Sequence, residues 1–275
     1  MKIITIMEDR IHDPAYIYEH GLSFYIETKH HKILMDTGQS KNTWINARRL
    51  GINLEDIDTV VISHGHYDHA GGLLSFCKIN SKARIYLNRN AIYDYYHYKN
   101  NEEKYIGIDH RIEQLPQVTY IEHNTQIDEE LSIYTNIQGR RLWPQGNTTL
   151  HKRVENEYIQ DLFDHEQCLV IHENNKYVLL SGCAHNGILN ILDRFKEIYG
   201  TTPDLVLSGF HMLKSQGYTL QDQEDILTTA NELKNMNTIF YTGHCTGIEP
   251  YEMMKKVMKD QLHYMYIGEQ IDVCE

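Results

Sequence analysis

The chain has 275 residues, 41% apolar and 23% charged, a balance that suits one large or two small folded domains and excludes disorder and fibrous repeats. Its 26 basic and 38 acidic side chains leave a formal charge of −12, the wrong sign for general binding to nucleic acid or to an anionic membrane surface. Phosphate-bearing small molecules stay open as substrates, because bound divalent cations reverse the potential locally.

In chain order, short runs rich in β-branched and aromatic residues alternate with segments whose apolar positions recur every third or fourth residue. Strands are expected at 3–6, 22–27 and 32–36, a helix at 43–50, a strand at 59–62, a helix at 71–79, and strands at 84–87, 119–121 and 131–134. Strands at 168–172 and 177–181 follow, joined by a turn at Asn174 and Asn175. The chain then runs through a helix at 187–199, a strand at 205–208, a helix at 221–235, a strand at 238–241, a helix at 249–260 and a strand at 263–267. This alternation predicts a layered α/β architecture.

No linker rich in Pro, Gly or Ser divides the chain, so residues 1–275 read as a single domain. The stretch from about 88 to 164 differs in character, with Tyr93, Tyr95, Tyr96, Tyr98 and Tyr105 beside Arg89, Lys99 and Lys104. It reads as an insertion over the core, either a surface elaboration or a lid that brings aromatic and basic groups to a substrate. Apolar runs fall far short of the roughly 20 residues of a membrane span, and the N-terminus lacks the pattern of a secretory signal, so a cytoplasmic location is expected. Cys77, Cys168, Cys183, Cys245 and Cys274 form no closely spaced pair and are expected as reduced thiols.

The strongest chemical signal lies directly after the strand at 59–62, in the run from Ser63 to Leu73. In an extended turn, residues two apart point the same way, so His64 and His66 can present their imidazoles to one point. Asp68 and His69 then fall at the start of the next helix and can face a second point nearby. Three imidazoles and a carboxylate so close in sequence are suited to zinc, iron or manganese. Without a cation, such crowding would be costly if buried.

Three further histidines each follow a predicted strand: His185 in Ser181 to Gly187, His211 after Ser208, Gly209 and Phe210, and His244 in Thr242 to Gly247. The carboxyl ends of strands are where α/β folds gather functional groups. His185 and His244 are therefore read as metal ligands, and His211 as a ligand, an acid or a packing residue. Asp36, in Asp36-Thr37-Gly38, is read as a turn residue that can also orient a ligand histidine. Cys183 and Cys245 lie beside proposed ligands but are read as small buried thiols, and the remaining histidines as surface groups.

Together these residues resemble the metallo-β-lactamase superfamily: His-x-His-x-Asp-His at His64 to His69, Asp36 at an upstream strand end, and isolated downstream histidines in the matching order. The resemblance spans residues 36–247. It implies a four-layer αββα sandwich with a site for two divalent metal ions at one edge of its sheets. By position, His64 and His66 would hold one metal and Asp68 and His69 the other, with His244 matching the last histidine motif. The phrases around His185, His211 and His244 are similar to the dihydropterin ribofuranosyl-aminobenzene phosphate synthase-like branch. The superfamily's bridging Asp normally follows a Gly at a strand end, whereas here Cys183 follows Gly182; Asp164, His165 and Glu166 are positional candidates for the third histidine motif.

No Ser or Cys stands in a convincing nucleophile arrangement, so water is the expected attacking group, activated by the metals, with zinc preferred and iron or manganese as alternatives. The expected reaction is hydrolysis of a small phosphoester or phosphodiester, with Asp68 in the reacting centre and His211 or a lid group protonating the leaving oxygen. The alternatives are a pterin-related cyclohydrolase or synthase, an iron-dependent redox enzyme, and a binding protein that keeps the fold. The expected partner is a phosphorylated small molecule rather than nucleic acid or membrane; the sequence leaves the oligomeric state open.

Overall fold

The computed structural model describes residues 1–10, 12–100 and 102–273; Cys274 lies outside the described residues. Its strands are β1 (Lys2–Met7), β2 (Ser23–Glu27), β3 (Lys32–Met35), β4 (Thr59–Val61), β5 (Arg84–Asn88), β6 (Asp94–Lys99), β7 (Glu102–Tyr105), β8 (Val118–Ile121) and β9 (Thr125–Gln126). They continue as β10 (Leu131–Tyr134), β11 (Leu150–Val154), β12 (Glu157–Gln160), β13 (Cys168–Glu173), β14 (Lys176–Leu180), β15 (Leu205–Leu207), β16 (Ile239–Thr242), β17 (Leu262–Tyr264) and β18 (Gln270–Asp272). The helices are α1 (Asn42–Arg49), α2 (Tyr67–Ala70), α3 (Leu73–Phe76), α4 (Ile188–Tyr199), α5 (Leu220–Lys234) and α6 (Ile248–Met258). No helix among the described residues is long and apolar enough to cross a membrane.

Two seven-stranded mixed sheets, in the orders β18-β1-β2-β3-β4-β5-β8 and β17-β16-β15-β14-β13-β10-β9, stack face to face. Strand periodicity explains the layering, because successive side chains point to opposite faces and here both faces are buried. In the first sheet Ile33 and Met35 of β3 enter the apolar layer between the sheets, while Leu34 faces outward onto the layer that holds Trp44 of α1 and Phe76 of α3. In the second, Val178 and Leu180 of β14 point inward, and Leu179 faces the layer built with Leu192 of α4, Ile226 of α5 and Met254 of α6. Three apolar layers thus separate four structural layers, the αββα sandwich that the sequence resemblance implies. Each fully buried Leu, Ile or Phe contributes about 1.5–3 kcal/mol to holding them together.

The parallel pairings β3-β4 and β14-β15-β16 set the carboxyl ends of five strands along one edge of the sandwich. Asp36, His64, Cys183 with His185, His211 and His244 are the residues that leave those ends. At this edge the sheets meet closely: a Cβ on Gly182 would stand 2.2 Å from Ser63 Oγ, so only glycine fits.

Two expectations change. Residues 88–164 are not one insertion, because β8 belongs to the first large sheet and β9 and β10 to the second. Only 94–105 and 150–160 depart from them, forming a third sheet in the order β12-β11-β6-β7. Of the helix expected at 71–79 only α3, at 73–76, forms, and the short α2 precedes it at 67–70. Gly71 and Gly72 pass so close to the chain leaving β3 that a Cβ on either would lie 2.2 Å from the backbone oxygen of Gln39 or Thr37, and the helix breaks where the chain threads that gap. The Asn174-Asn175 turn forms as expected, both residues in the left-handed region with φ of 53° and 60°.

Candidate metal centre

The extended segment after β4 carries His64 and His66 inward, and α2 begins at Tyr67, so Asp68 and His69 follow on its first turn. All four are buried, as are His185 and His244. The structure brings these six side chains together at the sheet edge. His64 Nε2 stands 3.1 Å from His66 Nδ1, and the His185 ring centroid lies 4.8 Å from that of His64 and 4.9 Å from that of His66. On the other side, Asp68 Oδ2 is 3.3 Å from His244 Nε2 and 3.5 Å from His69 Nε2. Nitrogen separations near 3 Å between groups that each expose a lone pair suit donors gathered on one cation, with metal–nitrogen bonds of about 2.1 Å.

Hydrogen bonds behind the rings decide which nitrogen faces the centre. Asp36 Oδ2 lies 2.6 Å from His69 Nδ1, and the same carboxylate accepts from the Ser63 backbone and hydroxyl at 2.7 Å. Ser63 Oγ in turn stands 2.8 Å from His64 Nδ1. Asn147 Oδ1 holds His185 Nδ1 at 2.9 Å, and Asp9 Oδ1 holds His244 Nδ1 at 2.6 Å. Each Nδ1–H therefore donates outward and each Nε2 keeps a lone pair for the centre. Nε2 of His185 and of His244 is buried with no hydrogen-bond partner, as is Nε2 of His66. A buried polar atom left unpaired is costly, and a cation between the rings removes that cost for the nitrogens facing it.

Electrostatics divide the six into two groups. Burial, with the neighbouring imidazoles, holds His64 and His185 well below the usual histidine range, and His66 is pushed down to about 3 by burial and by His165. These rings are neutral, as metal ligands must be. Burial also opposes charge on His69 and His244, but the Asp36 and Asp68 carboxylates lift His69 and the Asp9 carboxylate lifts His244 well above the ordinary value. Burial works against an ionised Asp68, yet His69 and His244 hold it well below the usual carboxylate range. The second group thus balances its carboxylates with protons that a cation can replace.

Backbone strain concentrates here: Asp36, Ala184, His211 and His244 all adopt left-handed φ, at 60°, 50°, 50° and 48°. His211 stands at the rim, its ring centroid 4.2 Å from that of His185. The cleft above the centre opens to solvent and is also walled by His20, Tyr67, His97, Lys104, Ile106 and Leu150. The third sheet supplies His97, Lys104 and Leu150. A second, shallow cleft adjoins it at His211, lined by Trp143, Pro144, Phe210, Met212 and Tyr218.

The three positional candidates for the third motif have other roles. Asp164 is an exposed partner of Asn90 and Lys152. His165 accepts the Gly65 N–H through Nδ1 and faces Asp161 through Nε2, so both nitrogens are engaged. Glu166 spends both oxygens on the backbone N–H groups of His185 and Asn186, fixing the turn that presents His185.

Two participants carried no motif. His20, read from the sequence as a surface group, places Nε2 3.3 Å from Asp68 Oδ2, and its Nδ1 is 2.9 Å from Asp9 Oδ2. Asp9 thereby links His20 to His244, residues 224 apart in the chain. Neither sits in a spacing pattern, and only the fold reveals them.

The model of the metallo-beta-lactamase superfamily matches residues 18–225. The chain is 27% identical to the 7,8-dihydropterin-6-methyl-4-(beta-D-ribofuranosyl)-aminobenzene-5'-phosphate synthase of Methanocaldococcus jannaschii, over 98% of this chain and 96% of that one. A crystal structure described as a metal-dependent hydrolase of the beta-lactamase superfamily superposes with a TM-score of 0.81 at 32% identity, covering 100% of both chains. Zinc-bound PqqB from Methylobacterium extorquens shares the fold at a TM-score of 0.58 and 11% identity, over 99% of this chain and 100% of that one.

Proposed function

Because the chain belongs to the metallo-beta-lactamase superfamily, we propose that it is a hydrolase that uses two divalent cations, zinc in preference to iron or manganese, to cleave a small phosphoester, a phosphodiester in particular. The observation that carries this reading is the pair of buried donor groups meeting at one sheet edge, with the Nε2 atom of His185 left without a hydrogen-bond partner. His64, His66 and His185 would hold one cation, and Asp68, His69 and His244 the other. Bound there, divalent cations lower the pKa of water from about 15.7 to about 7 and polarise the group under attack.

The chain's own residues divide the remaining work. Asp36, Asp9 and Asn147 lock the tautomers of His69, His244 and His185. Lys104 and His97 reach the cleft from the third sheet and supply positive charge and a hydrogen-bond donor to phosphate oxygens, which makes that sheet the lid. His211, at the rim, gives a proton to the leaving oxygen. A net charge of −12 keeps polynucleotides away while the local cations attract a small anion.

The test is turnover of a chromogenic phosphodiester by the metal-replete protein, abolished by a chelator and restored by zinc. His66→Ala and Asp68→Asn are expected to remove turnover while the fold is retained. Iron content without ester cleavage would direct attention to redox chemistry. A second reading, a step on a pterin-like phosphorylated compound, is favoured by the name of the methanogen relative and by the aromatic cleft beside His211, which suits a planar ring. Mass spectrometry of co-purified ligand separates the two.

A further inference from the structure

Cys183 occupies a position that no other side chain among the described residues shares. Its Sγ lies within 4.8 Å of the donor atoms of Asp68, His69 and His244, and on its other side within the same distance of those of His64 and His185. The distance to His69 Nε2 is 3.2 Å. A cysteine buried for packing has apolar neighbours, as Cys168 does in the layer outside the second sheet. Cys183 is 3% exposed, yet it belongs to none of the apolar clusters and is surrounded by imidazoles and a carboxylate. The backbone is shaped to put it there: Gly182 on one side has no room for a Cβ, and Ala184 on the other takes a left-handed φ of 50°.

We propose that Cys183 is a thiolate ligand shared by the two cations, filling between the donor groups the place of a common acidic ligand. This deepens the binuclear reading above and rests on it. On binding, the S–H proton leaves to solvent and the sulfur lone pairs face both cations. A soft shared donor selects zinc, iron or cobalt over magnesium or calcium, whose preferred ligands are oxygens. Cys245 is the natural control, because its Sγ clusters with Cys183 and His211 but joins neither donor group.

The test is replacement of the native metal by cobalt(II) in the full-length protein, following cobalt stoichiometry and the near-ultraviolet thiolate-to-cobalt charge-transfer absorption. Expected are two cobalt ions per chain and a strong charge-transfer band in the unmodified protein. Cys183→Asp, which offers a carboxylate instead, is expected to keep both ions and lose the band, and Cys245→Ser to keep both ions and the band. Two cobalt ions without the band in the unmodified protein would overturn the shared thiolate and leave the binuclear reading standing. A band that survives Cys183→Asp and vanishes in Cys245→Ser would also overturn it. Fewer than two cobalt ions bound by the unmodified protein would overturn the binuclear reading itself.

Discussion

The Asp36 carboxylate lies 2.6 Å from His69 Nδ1 and so turns the other ring nitrogen toward Asp68 and Cys183. Asp36 is fully buried and its φ is 60°, a conformation that asparagine also tolerates. Asp36→Asn is therefore expected to fold. It removes the charge that makes His69 a strong donor, and the loss in metal affinity should be about 10- to 100-fold. A competitive chelator titration measures it, and unchanged affinity would show that Asp36 only shapes the turn.

Metal should leave the two sites at different pH. In the metal-free protein His69 and His244 have pKa values raised above the usual 6.5, so below those raised values both rings carry protons that compete with a cation. His64, His66 and His185 are held below 6.5 and stay neutral further into acid. On stepwise acidification the Asp68 site is expected to empty first and the His64 site later. Metal content after equilibration at each pH gives the two steps; a single step with both ions lost together would contradict the division.

Lys104 stands at the cleft with its ammonium 5.2 Å from the Tyr67 ring centroid. Lys104→Ala takes away a charge at the cleft, proposed to meet substrate, and none of the groups proposed to hold metal. KM for a phosphodiester should rise by about tenfold with little change in kcat, the signature of binding shared by ground and transition states. A fall in kcat at unchanged KM would place Lys104 in the reacting centre instead.

The large sheets were legible because their strands are buried on both faces and flanked by glycine or asparagine turns, as at β13 and β14. The third sheet was not, since β7 is exposed along its whole length and β12 alternates only between exposed and half-buried residues, leaving no buried apolar face to read. Within the candidate site, the convergence of His64 to His69 was legible from their spacing, and that of His185 and His244 from their place after strands. His20 and Asp9 could not: they come from the loop between β1 and β2, and only sheet pairing carries that loop to His244. Cys183 was visible in sequence, but packing and ligation use the same residue, and only its polar surroundings tell them apart.

His211 offers the sharpest division between chemistry and structure. Its ring centroid lies 4.2 Å from that of His185 with the two planes tilted, its backbone holds a φ of 50°, and a Cβ on nearby Gly146 would stand 3.0 Å from its Nε2. His211→Asn keeps a residue that accepts the left-handed backbone but cannot deliver a proton near neutral pH. Metal content should be unchanged and kcat should fall by about 100-fold on an alkyl phosphodiester, the scale of general acid catalysis. On a nitrophenyl ester the loss should be far smaller, because nitrophenolate departs without needing a proton. Equal losses on both esters, with metal retained, would mean that His211 positions substrate and that the leaving oxygen takes its proton from another group.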